Sequence, residues 1–383
     1  MDDRAQARAL SWLAVAGIGA SVVIIIVLSL LRDGWGYPPV ALPPGGPPWA
    51  LPAAHISVGA ATVALWAAVI AGTGGVLAGL AAVGRGARPG LRWPLIAAAV
   101  VIAVLAVLPP AGSTDAFDYA AYGRIAALGH SPYLMTPYHL RLAHNAFARS
   151  VPSDWQHLVS VYGPLATAEQ WLAAKLGGAS AARVTFWLKL WNAAAFAVVA
   201  VAADRALRTD PARRLRAHLL WTLNPLLLWD IVAAGHLDVL AAAAGLLALL
   251  ALGRPADAPP RLARVLACGA LIGVAADVKA NYALFGLAAA WALRRWPASL
   301  ATAAGAALAA AAPGYAWFGL PALRALVARR NQSSAGSFYD LILHPTPATH
   351  LALIAAILAA ALAALTLRRI PPGPPDYLSL IHI

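Results

Sequence analysis

Apolar runs long enough to cross a hydrocarbon core of roughly 30 Å recur along the whole chain, parted by short polar connections. Ten are read as crossings, at about 10–31, 55–83, 93–111, 183–203, 217–235, 237–253, 263–279, 280–294, 298–319 and 350–367. The pattern predicts an all-α polytopic membrane protein. One transmembrane domain of about ten helices occupies residues 1–383, with a large loop at 111–182 that carries short helices. The seventh and eighth crossings are short and share a polar break, Asp277-Val278-Lys279-Ala280-Asn281. Interrupted helices with ionisable residues at the break line cavities in preference to facing lipid.

Composition supports this pattern. Hydrophobic residues make up 61% and charged residues 11% of the chain, against about 25% charged in soluble domains. The formal net charge is +13, yet the arginines sit in short clusters between apolar runs, which excludes a nucleic-acid partner. Arg85, Arg88 and Arg92 fall in the second connection, and Arg205, Arg208, Arg213, Arg214 and Arg216 in the fourth. Arg254, Arg261 and Arg264 fall in the sixth, Arg294 and Arg295 in the eighth, and Arg368 and Arg369 follow the last crossing. Basic residues mark cytoplasmic connections, so both termini are expected inside a plasma membrane and the odd-numbered loops outside. The first run lacks a small-residue cleavage site and reads as a retained anchor. A single cysteine, Cys268, excludes a disulfide framework.

The outward connections differ in kind. Residues 32–54 are rich in Pro and Gly and read as extended chain. The connection from Ala111 to Ala182, of about 70 residues, is too long for a simple link and holds most of the informative polar residues. A second outward loop, 320–349, breaks the charge rule with Arg324, Arg329 and Arg330, which suggests a purpose other than orientation.

After Pro109-Pro110 the spacing predicts a helix from Asp115 to Leu128, stopped by Gly129. Asp115 and Asp118 share one face of it. In one reading they cap the helix, Asp115 as N-cap and Asp118 at N3. In the other, a carboxylate just outside a membrane helix takes a proton from an attacking sugar hydroxyl. Tyr119 and Tyr122 would then stack on a sugar, and Arg124 would meet an anion. Tyr133 in Gly129-His130-Ser131-Pro132-Tyr133 and Tyr162 in Val161-Tyr162-Gly163-Pro164 display aromatic rings from turns, either as simple turns or as substrate contacts. Trp155, Trp171 and Trp187 read as an interfacial belt. His236 and Asp238 are too few to make a metal site. They read as a polar contact to substrate or as a structural pair. Lys279 either meets a lipid phosphate or snorkels to the surface, and Arg330 is a further candidate for the phosphate. No cofactor is required by the sequence, and the need for a divalent metal is left open.

The segment Asp115-Ala116-Phe117-Asp118-Tyr119-Ala120-Ala121-Tyr122-Gly123-Arg124, with Gly129-His130-Ser131-Pro132-Tyr133, resembles the first external loop of actinobacterial polyprenyl-phosphate-mannose-dependent α-(1→6)-mannosyltransferases. Tyr162-Gly163-Pro164-Leu165, Asn224-Pro225-Leu226-Leu227-Leu228, Ala234-Gly235-His236-Leu237-Asp238 and Val278-Lys279 follow in that family's order, so the resemblance covers roughly residues 93–290. It implies a GT-C-like helical bundle with its catalytic Asp in the external loop. It also implies a polyprenyl-phosphate sugar donor and a glycan or glycolipid acceptor among membrane lipids. By position, Asp115 matches the general base, with Asp118 as a rival, and His236 and Asp238 match a His-x-Asp pattern. A donor linked β to phosphate and an α-linked product imply one inverting displacement. The chain is shorter than the family norm at its C-terminal end. Residues 370–383 depart from the alanine-rich style and are expected to be a non-native tail on a truncated frame. Two other classes fit the pattern less well: a lipid-linked-sugar flippase, which needs mid-membrane ionisable residues and is weakened by the absence of an internal repeat, and a non-catalytic scaffold of the same fold.

Overall fold

The computed structural model describes residues 3–30, 56–253 and 258–328. The expectations for 32–54, 350–367, Arg330 and 370–383 lie outside the described residues. Among the described residues the elements are all helical. Three long helices are α1 (Asp3–Leu30), α2 (Val58–Gly84) and, further on, α8 (Ala181–Ala206). Between α2 and α8 lie α3 (Arg92–Val107), α4 (Asp115–Ala127), α5 (Pro137–Leu142), a 3-10 turn (Ala146–Ser150), α6 (Ser153–Gln156) and α7 (Pro164–Gly177). After α8 come α9 (Pro211–Leu220), α10 (Pro225–Leu227), a π-helical turn (Leu228–Ala233), α11 (Asp238–Leu252) and α12 (Leu262–Val278). A 3-10 turn (Ala280–Leu284), α13 (Phe285–Leu293), α14 (Pro297–Phe318) and α15 (Leu320–Ala328) complete the order.

Three helices are long and apolar enough to span a membrane alone, and five spans result if each of two bent pairs counts as one. Ten helices of spanning length are therefore not found among the described residues. The reason is local chemistry that hydropathy does not weigh. The expected crossing at 217–235 is interrupted where Asn224 caps the turn at Pro225, accepting from the Leu226 amide at 3.1 Å. At Gly235 the chain from Pro225–Ala233 into Asp238–Leu252 bends by 117°, and at Gly319 the second pair bends by 111°. Outward-facing positions carry large apolar side chains, with Trp12, Ile70 and Leu308 all exposed. The interior is filled largely by Ala and Gly. That inversion suits helices whose outer solvent is lipid and whose mutual contacts are close backbone packing.

Polar ties fix where the helices meet. Pro109 has no N–H, so the Leu105 carbonyl at the end of α3 lacks its helical donor. Lys189, fully buried in α8, donates to Leu105 O at 2.9 Å and also to Leu108 O. One turn along α8, Asn192 Nδ2 donates to Gly235 O at 2.8 Å. Near the other end of α8, Asp204 accepts from Arg214 through both oxygens (2.6 and 3.1 Å) and meets His218 Nε2 at 2.7 Å. Lys189 and Asp204 are about 22 Å apart along the helix axis. The arginine-rich connection and the α3 terminus thus lie at opposite ends of α8.

The connection at 111–182 is not a loose loop. It packs α4 against α7 and both against α8, around a core that includes Tyr119, Tyr122, Ile125, Phe147, Ala166 and Leu188. Trp155 and Trp187 pack against this core. Glu169 of α7 reaches the surface with its stem, yet both carboxyl oxygens are sealed without a protein partner. Burial pushes its carboxyl from 4.5 up to about 8.

Two stability predictions follow from these contacts. Lys189→Met leaves the Leu105 and Leu108 carbonyls unpaired and should destabilise the protein by about 1–3 kcal/mol, read as a lower thermal midpoint in detergent. An unchanged midpoint would mean that other contacts hold the end of α3. For Glu169 the folded state binds its proton more tightly than the unfolded chain does. Its contribution is therefore fully present below about pH 4.5 and declines as pH rises toward about 8. Glu169→Gln should raise the midpoint at pH 8 relative to the native chain, with the gain gone by about pH 4.5.

Candidate active site

The site forms where four chain segments end together: the start of α4, the Gly235 bend, the start of α11 and the chain just past α12. Backbone bonds stitch these segments. Ala111 N–H donates to Ala233 O at 3.2 Å, and Gly163 N–H to Val278 O at 3.0 Å. Two glycines make the approach possible. Gly112 has φ +93° and lies against the Trp229 indole, while Gly163 lies so close to the Asp277 backbone that a Cβ would collide with it.

Asp115 is the first residue of α4 and follows Thr114 at the N-cap, so it does not cap the helix. A carboxylate in this first turn is favoured by the helix dipole. Its Oδ2 accepts from the Tyr119 hydroxyl, one turn on, at 3.4 Å, and stands 3.5 Å from His236 Nδ1. The other ring nitrogen of His236 stands 3.7 Å from Asp230 Oδ1. At these distances the imidazole is a loose bridge between two carboxylates, able to donate to one when neutral and to both when protonated. The Asp115 side chain retains 27% of its exposure, so it is neither sealed nor fully solvated.

Beside it lies a second group. Lys279 Nζ donates to Asp238 Oδ1 at 2.7 Å, and the Tyr282 hydroxyl donates to the same oxygen at 3.2 Å. The ammonium also sits 5.9 Å from the centre of the Tyr162 ring. Tyr162 in turn packs edge-on against Tyr119, with ring centres 5.1 Å apart. The two tyrosines thus link the Asp115 group to the Lys279 group. Burial, followed by neighbouring groups that include the Asp115 carboxylate, pushes both phenols well above their usual range, so they remain neutral donors.

Of the residues singled out from sequence, the structure gathers Asp115, Tyr119, Tyr162, His236, Asp238 and Lys279. The others lie elsewhere. Asp118 is buried, with 2% of its surface exposed, on the packed side of α4. Tyr122 spends its hydroxyl on Leu158 O at 3.0 Å. Tyr133 spends its own on Tyr162 O and the Thr167 hydroxyl, both at 2.9 Å. Arg124 is in the last turn of α4, about 13 Å along the helix from Asp115, and lies over Phe147. Asp230 and Tyr282 join the site without having been singled out. Tyr282 had a signal, standing three residues past Lys279 in the polar break. Asp230 had only its nearness to His236. Among the described residues no three His, Cys, Asp or Glu side chains are gathered as a metal would require.

Comparison with known proteins identifies a family and a relative for this chain. The family described as alpha-(1->6)-mannopyranosyltransferase, N-terminal domain, matches residues 14–295. A probable alpha-(1->6)-mannopyranosyltransferase of Mycolicibacterium smegmatis is 29% identical over 139 residues, which is 36% of this chain. The aligned part is 24% of that relative, so the chain matches about a quarter of its length. No solved structure matches. Every residue gathered at the site, from Asp115 to Tyr282, lies within the stretch matched by the family, and the chain belongs to the α-(1→6)-mannopyranosyltransferase family.

Proposed function

We propose that this protein transfers a mannosyl unit from a polyprenyl-phosphate carrier to the 6-hydroxyl of a glycan or glycolipid, with inversion at the anomeric carbon and Asp115 as general base. One observation carries the reading: a partly open carboxylate, held by Tyr119 and His236, lies beside a lysine through the Tyr119–Tyr162 pair. An inverting displacement needs those two charges. The acceptor oxygen attacks C1 while its proton passes to Asp115. The bond from C1 to the phosphate oxygen breaks, and the electron pair leaves with the lipid phosphate. Lys279 has three donors and uses one on Asp238, which leaves N–H groups for that developing anion. Asp238 and Tyr282 hold the ammonium in place, so their part is to position Lys279.

Orientation follows from charge. The arginine-rich connections mark the inner side. The site lies toward the opposite end of α8 from Arg214, which supports a position at the outer face of a plasma membrane. There a lipid phosphate sits at headgroup level and a cell-surface glycan is within reach. The family and the M. smegmatis relative support mannose and the α-(1→6) linkage.

The test uses the full chain in lipid nanodiscs with polyprenyl-phosphate mannose and an α-(1→6)-mannan oligosaccharide. Asp115→Asn should lower kcat by at least about 100-fold with an unchanged thermal midpoint. Wild-type turnover would remove Asp115 from the mechanism. Lys279→Met should lower kcat/KM for the donor by about 10- to 100-fold, with Lys279→Arg recovering part of it. A lysine that merely tied down Asp238 would cost stability in the methionine variant and leave the donor KM alone.

A further inference from the structure

One feature left unexplained is a cavity of about 780 Å3 that does not include Asp115 in its lining. A smaller one, of about 490 Å3, lies among α1, α2, α3 and α9 and is almost wholly apolar. The larger cavity is built differently. Its floor is Asp277 with Pro164 and Thr167, one side carries His130 and Ser131, and Trp171 and Trp317 form its rim. Asp277 is only 6% exposed, and its carboxyl accepts one backbone bond from Leu165. The other oxygen, Oδ1, has no protein partner. In front of Oδ2 stands Gly314, where an added Cβ would come within 3.3 Å of that oxygen. Tyr133 braces the wall from behind, bonded to Thr167 and packed edge-on against Phe318 at 5.0 Å.

The geometry points to a second carbohydrate site: a subsite in which a neutral pyranose unit of the acceptor glycan is held, with its hydroxyls donating to Asp277 and its apolar face on Trp171 or Trp317. This inference rests on the glycosyltransferase reading for the word acceptor. The binding chemistry is independent of it. A buried carboxylate with a spare lone pair calls for a donor. Sugar hydroxyls supply donors without charge, whereas a lipid phosphate would meet a like charge at the Asp277 carboxylate. The indoles offer flat apolar surface with little entropy to lose. The cavity also adjoins the reaction centre through the chain itself. Asp277 lines it, and Lys279, two residues on, faces Asp238 at the active site. Gly163 is bonded to Val278 between them, so the two sites share one wall.

The experiment separates this claim from the one beneath it. Binding of a methyl α-(1→6)-mannotrioside is measured by saturation-transfer NMR on the full chain in nanodiscs, in an Asp115→Asn background that does not turn over. Trp317 is 85% exposed, so Trp317→Ala leaves the fold intact. This variant and Asp277→Asn should each weaken trioside binding by at least about 10-fold. In the Asp115-intact chain they should raise the acceptor KM to the same degree and leave the donor KM unchanged. Equal binding in the parent and both variants, or no binding by the parent, overturns the site. Loss of polyprenyl-phosphate binding with trioside binding retained overturns its assignment to a neutral glycan. Failure of the parent to transfer mannose with either result would count against the enzyme reading instead, because the binding arm needs no turnover.

Discussion

A single buried lysine amine governs how this site is assembled. Two prolines end α3 without amides, and the carbonyl left over at Leu105 must find a donor or bear the cost of desolvation. Lys189 supplies that donor from within α8, and Asn192 holds Gly235 from the next turn. Through these bonds α8 sets the position of both the chain that runs into Asp115 and the bend that presents His236. Neither contact is made by a residue that touches the proposed substrates. The proposed reacting groups lie on segments that hang from α8.

Helix ends, more than helix lengths, explain the architecture. Asp115 and Asp238 each open a helix, where a carboxylate is electrostatically welcome. Lys279 follows the end of α12, and the Tyr162–Pro164 segment starts α7. These helix ends meet in a polar patch, while the ionisable group well inside a spanning helix, Lys189, is spent on the Leu105 and Leu108 carbonyls. A transferase acting on a headgroup-level phosphate needs that arrangement, whereas a flippase that passes a polar head through the bilayer needs the reverse.

The proposed division of labour follows charge. Lysine and its acidic anchor stand on the side suited to an anionic carrier. The aromatic-rimmed cavity with one buried carboxylate stands on the side suited to a neutral glycan. The wall between them is only a few residues thick, at Gly163 and 277–279. Side chains at those glycine contacts would force the two backbones apart, so the closeness of the sites depends on residues that carry no chemistry.

The sequence alone was enough for the all-helical membrane character, the α4 helix with its stop at Gly129, and six of the eight residues that converge. Those features are written locally, as apolar period, turn chemistry and charge at helix ends. It did not decide how many helices have spanning length, because hydropathy sums side chains and cannot see that Asn224, Gly235 and Gly319 redirect the backbone. Nor did it separate the partly open Asp115 from the buried Asp118, or the tyrosines gathered at the site from those bonded elsewhere. Asp118 lies on the helix face turned to packing, and the hydroxyls of Tyr122 and Tyr133 are spent on carbonyls as many as 36 positions away. Which of several identical side chains meets water and which meets a neighbour is set by long-range contacts, and only the tertiary structure holds them.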